Sequence, residues 1–192
     1  ILVTNDDGIS APGLAIAEEI ARQLAGRDGQ VTTIAPAIDQ SGVGHSVSYL
    51  RPSLITEHEK GRYSVEGSPA DCVLAGVYHV MKDYKPDIII SGVNKGHNIS
   101  EDILYSGTVG AAMEGALQGV KSISLSQCYS AQSIALPDTF DTSRKIAKIQ
   151  AYRPIQYRDR TYVRNCGWTW CRRYSYWWWW WWGGYYRCYR CT

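Results

Sequence analysis

Residues 1–150 of this 192-residue chain hold no apolar run long enough to cross a bilayer, and no leader-like stretch opens the sequence. No Gly-Lys-Ser/Thr follows the glycines near residue 42, so an ATP-binding P-loop is excluded. A basic surface is also lacking over these residues. They carry 12 Lys+Arg against 17 Asp+Glu, a net of −5, whereas residues 151–192 hold eight Arg, one Asp and no Lys, a net of +7. The whole-chain charge of +2 therefore belongs to the tail, and a folded face suited to nucleic acid is not expected in the body. Cysteine is sparse before residue 151. Cys72 and Cys128 sit among apolar neighbours and read as buried thiols rather than a disulfide. A soluble, cytoplasmic, reduced protein is the expectation, one whose numbering starts a residue or two inside the natural chain, because Ile1 already falls in an apolar strand.

The body reads as alternating strands and helices. Ile1–Thr4 is a short strand, and Asn5-Asp6-Asp7-Gly8 ends it. Ser10-Ala11-Pro12 starts a helix with Ser10 as its expected cap. Leu14, Ala17, Ile20, Ala21 and Leu24 recur at helical spacing until Gly26, and Val31–Ala35 is the second strand. A strand, helix and strand in this order make a right-handed crossover and imply a parallel sheet.

Val47–Leu50, Leu54–Thr56 and Tyr63–Val65 read as a small β excursion beside that sheet. Ser68-Pro69-Ala70-Asp71 opens another helix, with Asp71 facing its dipole in a structural role. Asp87–Ser91 is a third main strand, whose branched run suggests burial on both faces. Gly92–Asn98 is expected as the loop at its end. Ser106-Gly107-Thr108 leads into a helix over Val109–Leu117, Ser122–Ser126 is a fourth strand, and 140–149 a further helix. The expected class is α/β: Rossmann-like and doubly wound, a mainly parallel sheet with helices on both faces.

Beyond Ala151 this grammar stops. Only Ile155 and Val163 are branched aliphatics, and Trp177–Trp182 are six consecutive tryptophans. Each indole needs a place to bury its ring and a partner for its N–H, which no amphipathic pattern here provides. Cys166-(x4)-Cys171 and Cys188-(x2)-Cys191 resemble paired zinc thiolates, but in imperfect spacing and incoherent surroundings. The division expected is a catalytic domain over 1–150 and an anomalous tail over 151–192, of the kind a shifted reading frame produces.

The chemistry concentrates at strand ends. Adjacent carboxylates at Asp6 and Asp7 resist ionising together, and a hard divalent cation removes that cost. Ser41 follows the second strand and Asn94 the third, so all four fall on the edge where open α/β sheets bind ligands. Two carboxylates, a hydroxyl and an amide oxygen suit Mg²⁺ or Mn²⁺ rather than zinc. Ser106-Gly107-Thr108 at a helix start favours an anion such as phosphate. His45 could act as a general acid, whereas Lys95 and His97 read as exposed loop charges.

Five ordered blocks carry a resemblance. Asn5-Asp6-Asp7-Gly8, Ala35-Pro36 with Ser41-Gly42, Gly67–Cys72, Ser91-Gly92-Val93-Asn94 with Gly96 and Asn98, and Tyr105–Val109 resemble the SurE family of survival-protein nucleotidases over residues 1–126. Ser68 stands where that family usually has Thr. The resemblance implies a divalent-metal-dependent phosphatase of nucleoside 5′- and 3′-monophosphates that forms dimers or tetramers, with one metal per subunit. It implies metal ligands at Asp6, Asp7, Ser41 and Asn94, and phosphate contacts at Gly42, Asn98, Ser106, Gly107 and Thr108. Water activated by the metal would attack directly, with Asp6 as base. Two other readings compete. A phospho-receiver domain also carries an early acidic pair but needs an acceptor Asp where Ser91-Gly92 stands. A nucleic-acid module would rest on the basic aromatic tail.

Overall fold

The computed structural model describes residues 1–129 and 139–145 and the backbone of 161–166. Among these residues seven strands form one sheet: β1 (Leu2–Thr4), β2 (Thr32–Pro36), β3 (Ile55–Glu59), β4 (Arg62–Val65), β5 (Ile88–Lys95), β6 (Lys121–Gln127) and β7 (Thr161–Cys166). Their spatial order is β3-β4-β2-β1-β5-β6-β7, and every neighbouring pair is parallel except β3 with β4. The order reverses beside β1. From there the chain goes outward to β2 and β4, then returns to place β5 on the other side. That reversal opens a crevice at the strands' carboxyl ends.

Helix α1 (Pro12–Ala25) covers one face, where Leu14, Ala17, Ile20 and Ala21 meet Val3, Ile90 and Leu125 in a buried cluster. Helices α2 (Pro69–Ala75) and α4 (Gly107–Leu117) cover the other, which buries Leu2, Ile34, Cys72, Val73, Ile89 and Ala111. Alternation along β1 and β5 sends consecutive residues to opposite clusters, as a sheet buried on both faces requires. Burying each large aliphatic contributes roughly 1.5–3 kcal/mol. The fold is the expected doubly wound α/β architecture.

Several local expectations need correction. Ser10 does not cap α1. The cap position is Ala11, with no side-chain bond, and the Ala11 N–H donates to the Gly8 carbonyl at 3.1 Å. Residues 47–50 form no strand. β4 is no excursion, since it pairs in parallel with β2 inside the main sheet, and only β3 lies antiparallel at the edge. Asn94 lies in β5 rather than in a loop, because the strand runs on through a register shift between Ser91 and Asn94. Such a bulge re-aims the residues that follow it. Helical structure at 141–145 matches the expected helix, while 146–149 lie outside the described residues. β7 is a strand within the segment where the sequence pattern offers no element.

Ser68 caps α2 as expected. The Asp71 N–H donates to the Ser68 hydroxyl at 3.1 Å, and the Ser68 N–H donates to the Asp71 carboxylate at 2.8 Å, a reciprocal capping box. Asp71 also accepts the Ser48 N–H at 2.9 Å and the Ser48 hydroxyl at 2.7 Å, which pins the loop before β3 to this helix. Its role is structural.

Candidate metal and phosphate site

The crevice is built on the loop after β1. Asn5 and Asp6 are buried there, and the Asn5 side-chain amide donates to the Gly8 carbonyl at 2.9 Å, closing the turn. Asp6 meets the first turn of α4. The Thr108 hydroxyl donates to Asp6 Oδ1 at 2.6 Å, and the Thr108 N–H donates to Asp6 Oδ2 at 3.0 Å. This approach depends on Gly107, since a Cβ there would lie 2.8 Å from the Asp6 Cβ. The helix N-terminus is thus turned onto a carboxylate of its own chain. Ser106 caps α4 by accepting the Val109 N–H at 3.1 Å.

Asp7 reaches the far side of the crevice, where the Lys95 N–H donates to its Oδ2 at 3.3 Å. Burial and the Asp6 charge beside it push the Asp7 carboxyl up to about 6. Asp6 is also raised, chiefly by burial, with the Thr108 bonds opposing. Asn94 lies beside Lys95, and its amide nitrogen donates to the Gly96 carbonyl at 3.2 Å, which leaves the amide oxygen as the side chain's acceptor. Asn98 is buried behind it and donates to the Ser126 hydroxyl at 2.7 Å.

The third side is the loop after β2. The Gln40 N–H donates to the Asp6 carbonyl at 2.7 Å, so this loop hangs directly on the β1 turn. Ser41 and Gly42 follow: Ser41 is exposed, and its N–H donates to Asp39 Oδ1 at 2.7 Å. The structure therefore gathers Asp6, Asp7, Asn94 and the Ser41–Gly42 loop around one crevice.

Asp39 is a residue that the sequence reading missed. Its negative charge raises both Asp6 and Asp7, while the Ser41 hydroxyl and N–H hold its own carboxyl below the usual range. An Asp two residues before a Ser-Gly pair is the available signal, because such side chains bond backbone N–H groups two residues on. Tyr129 was missed as well. Burial and the Asp7 charge push its hydroxyl up to about 12, and its ring packs edge-on against Phe140 with centroids 6.1 Å apart. His97 and His45 pair outside the site, while the Lys95 charge acts on Asp7 and lowers its carboxyl against the rise from burial. His97 Nδ1 lies 3.3 Å from the Asp102 carboxylate at α3 (Asp102–Tyr105), Lys95 is exposed, and His45 Nε2 lies 2.6 Å from Glu114 of α4.

Among the described residues no group of three or more His, Cys, Asp or Glu side chains stands close enough to hold a metal. A cation here must draw on neutral oxygens too. The donor set fits that demand: two carboxylates both raised by burial, Asp7 also by the Asp6 charge and Asp6 by that of Asp39, with an amide oxygen and a hydroxyl, are the hard ligands that Mg²⁺ and Mn²⁺ take.

Known proteins resemble this chain over most of its length. A family profile described as Survival protein SurE matches residues 1–166. The chain belongs to the SurE family. A relative from Roseobacter denitrificans, named 5'-nucleotidase SurE, is 53% identical over 159 residues, covering 80% of this chain and 61% of the relative. One of the same name from a Jannaschia species is 56% identical over 143 residues, 74% of this chain and 54% of the relative. The crystal structure of the SurE protein from Aquifex aeolicus superposes with a TM-score of 0.68 at 36% identity, covering 78% of this chain and 57% of that one. The chain thus spans little more than half the length of these relatives. The SurE match ends at Cys166, the last residue of β7, and so passes the boundary at 150 that the sequence pattern suggests. Residues 167–192, with the tryptophan run, lie outside the described residues.

Proposed function

We propose that this chain carries the catalytic part of a divalent-metal-dependent phosphomonoesterase that hydrolyses nucleoside 5′- and 3′-monophosphates to nucleoside and phosphate. The observation that carries this reading is the Asp6 carboxylate, locked by Thr108 beside a raised Asp7 at the sheet's switch point. Relatives named 5'-nucleotidase, more than half identical over most of this chain, support the substrate class.

Asp6, Asp7, Ser41 and Asn94 would hold one Mg²⁺ or Mn²⁺ ion. Such an ion supplies positive charge against the phosphoryl oxygens and lowers the pKa of a neighbouring water. The residues do the rest. Each Asp6 oxygen accepts one bond from Thr108 and keeps a second lone pair, so Asp6 is oriented to take a proton from the attacking water. Gly42, Asn98, Ser106, Gly107 and Thr108 are the phosphate contacts that the family likeness implies, although the first turn of α4 is already engaged, its Thr108 N–H on Asp6 and its Val109 N–H on Ser106. Attack is direct and single-step. Asp6 has one lone pair of each oxygen committed to Thr108 and its charge shared with a cation, which leaves it a poor nucleophile.

The receiver reading loses its footing, because Ser91 stands buried in β5 where an acceptor carboxylate is required. The nucleic-acid reading rests on residues outside those described. Assembly as a homodimer or homotetramer in the cytoplasm follows from the family likeness and is tested by light scattering and fractionation. For the activity, phosphate release from a panel of nucleoside monophosphates with Mn²⁺, Mg²⁺ or chelator is the test. Release that ignores both metal and nucleotide would contradict it.

A further inference from the structure

The loop from Asp39 to Ser48 carries Ser41 and Gly42 and has no regular secondary structure. Something must hold it, since Ser41 is exposed and its N–H bonds only within the loop, to Asp39. At its start the Gln40 N–H donates to the Asp6 carbonyl, and at its end Ser48 is bound by Asp71. Between these anchors the loop lies against α4. The Gly44 N–H donates to the Tyr105 carbonyl at 2.8 Å, just before that helix. A Cβ on Gly110 would fall 2.5 Å from the Gly44 carbonyl oxygen and 3.0 Å from the His45 Cα, so the contact is backbone on backbone.

Two side-chain ties hold this stretch: the Ser68 hydroxyl donates to the Ser46 carbonyl at 2.6 Å, and His45 meets Glu114 on α4. His45 Nε2 and Glu114 Oε2 are 2.6 Å apart, and the Glu114 side chain is 7% exposed. Its other oxygen accepts from the side-chain amide of Gln118, the residue that caps the helix's C-terminal end. A buried carboxylate is costly unless paired, and among the described residues the cationic-type partner of Glu114 is His45. Glu114 and Thr108 belong to one helix, and Thr108 is the residue that grips Asp6. One rigid element therefore holds Asp6 from its first turn and the Ser41 loop from its second.

We propose that His45 and Glu114 are a positioning pair that sets the Ser41–Gly42 loop against Asp6 and thereby determines how tightly the site holds its divalent cation. The role rests on the metal-dependent reading above. It differs from a general acid: the imidazole is spent on a buried carboxylate and acts on the reaction only through the loop.

The test uses the full chain with His45→Ala, His45→Gln, Glu114→Gln and the double variant His45→Ala/Glu114→Gln. Mn²⁺ affinity is read by calorimetry, and kcat and KM are read on AMP and on p-nitrophenyl phosphate, whose leaving group needs no proton. Removing residues that orient metal ligands costs about 10- to 100-fold in affinity, and His45→Ala is expected within that range. His45→Gln, which still donates a hydrogen bond, should recover part of the loss. The double variant should be no worse than His45→Ala, because both changes break one contact. Turnover of both substrates should fall together and recover at saturating Mn²⁺. Unchanged Mn²⁺ affinity in His45→Ala overturns the role, whether or not the melting temperature drops. A loss confined to AMP, with p-nitrophenyl phosphate spared, overturns it in favour of leaving-group protonation by His45. If the unaltered chain binds no Mn²⁺, the metal-site reading itself falls and this role with it.

Discussion

Thr108 grips both carboxylate oxygens of Asp6, one through its hydroxyl at 2.6 Å and one through its backbone N–H at 3.0 Å. The two residues are 102 positions apart, and the contact joins the β1 turn to the start of α4. It makes the orientation of the proposed base a property of the fold rather than of a flexible side chain.

Thr108→Val keeps the shape and deletes the hydroxyl. A hydrogen bond to a charged group is worth roughly 1.5–3 kcal/mol, so kcat/KM should fall about ten- to a hundredfold. Thr108→Ser should restore most of it. Steady-state kinetics of the two variants at saturating Mn²⁺ check this, and equal activity of Val and Ser would count against the contact.

Asp7 makes the site a liability to the metal-free chain. Its carboxyl is raised from 3.8 to about 6 in the folded state, so folding favours the protonated form. Stability from this group is fully present below the unfolded value of 3.8 and is lost as pH climbs through about 6. Thermal melts in chelator should therefore show Asp7→Asn gaining stability at pH 7.5 and gaining none at pH 3.5. The same variant should lose Mn²⁺ binding in calorimetry. A variant that is destabilised at pH 7.5 without metal would refute the account of this pair.

Asp71 closes the α2 capping box and binds Ser48 through both oxygens. Loss of a cap costs roughly 0.5–2 kcal/mol, and each bond to a charged group adds to that. Asp71→Ala should lower stability by about 2–4 kcal/mol in urea titration while p-nitrophenyl phosphate turnover at saturating metal stays within about threefold. A stability change below about 0.5 kcal/mol would mean the network is not carrying the helix start.

Direct attack by water predicts a stereochemical result. One displacement inverts a chiral phosphoryl group, whereas a phosphoenzyme route displaces twice and retains configuration. Inversion is expected, and rapid quench should trap no phosphate on Asp6. Retention would overturn the single-step route and leave the phosphatase reading standing.

Much of this was legible in the sequence for physical reasons. Branched runs at Ile1–Thr4, Val31–Ala35 and Asp87–Ser91 alternate with a 3.6-residue pattern over Leu14–Leu24, the alternation of a parallel α/β sheet. Polar clusters directly after strands then fall on one edge. What was not legible depends on contacts distant in sequence. Nothing local in Arg62–Val65 says that it joins β2 in parallel, and nothing near Ser91 announces that the strand resumes past a bulge to include Asn94. Glu114 looks like an exposed helical charge until α4 turns it toward His45. β7 escaped because a tail dense in Arg and Trp conceals six residues of ordinary strand backbone.

The most direct measurement is phosphate release from AMP by the purified chain, first in excess EDTA and then after Mn²⁺ or Mg²⁺ is returned, with Asp7→Asn run beside it. The account predicts no turnover in chelator, recovery with metal and little recovery in Asp7→Asn. Full activity in EDTA, or an Asp7→Asn variant that metal restores completely, would contradict the metal-dependent phosphatase proposed for this fold.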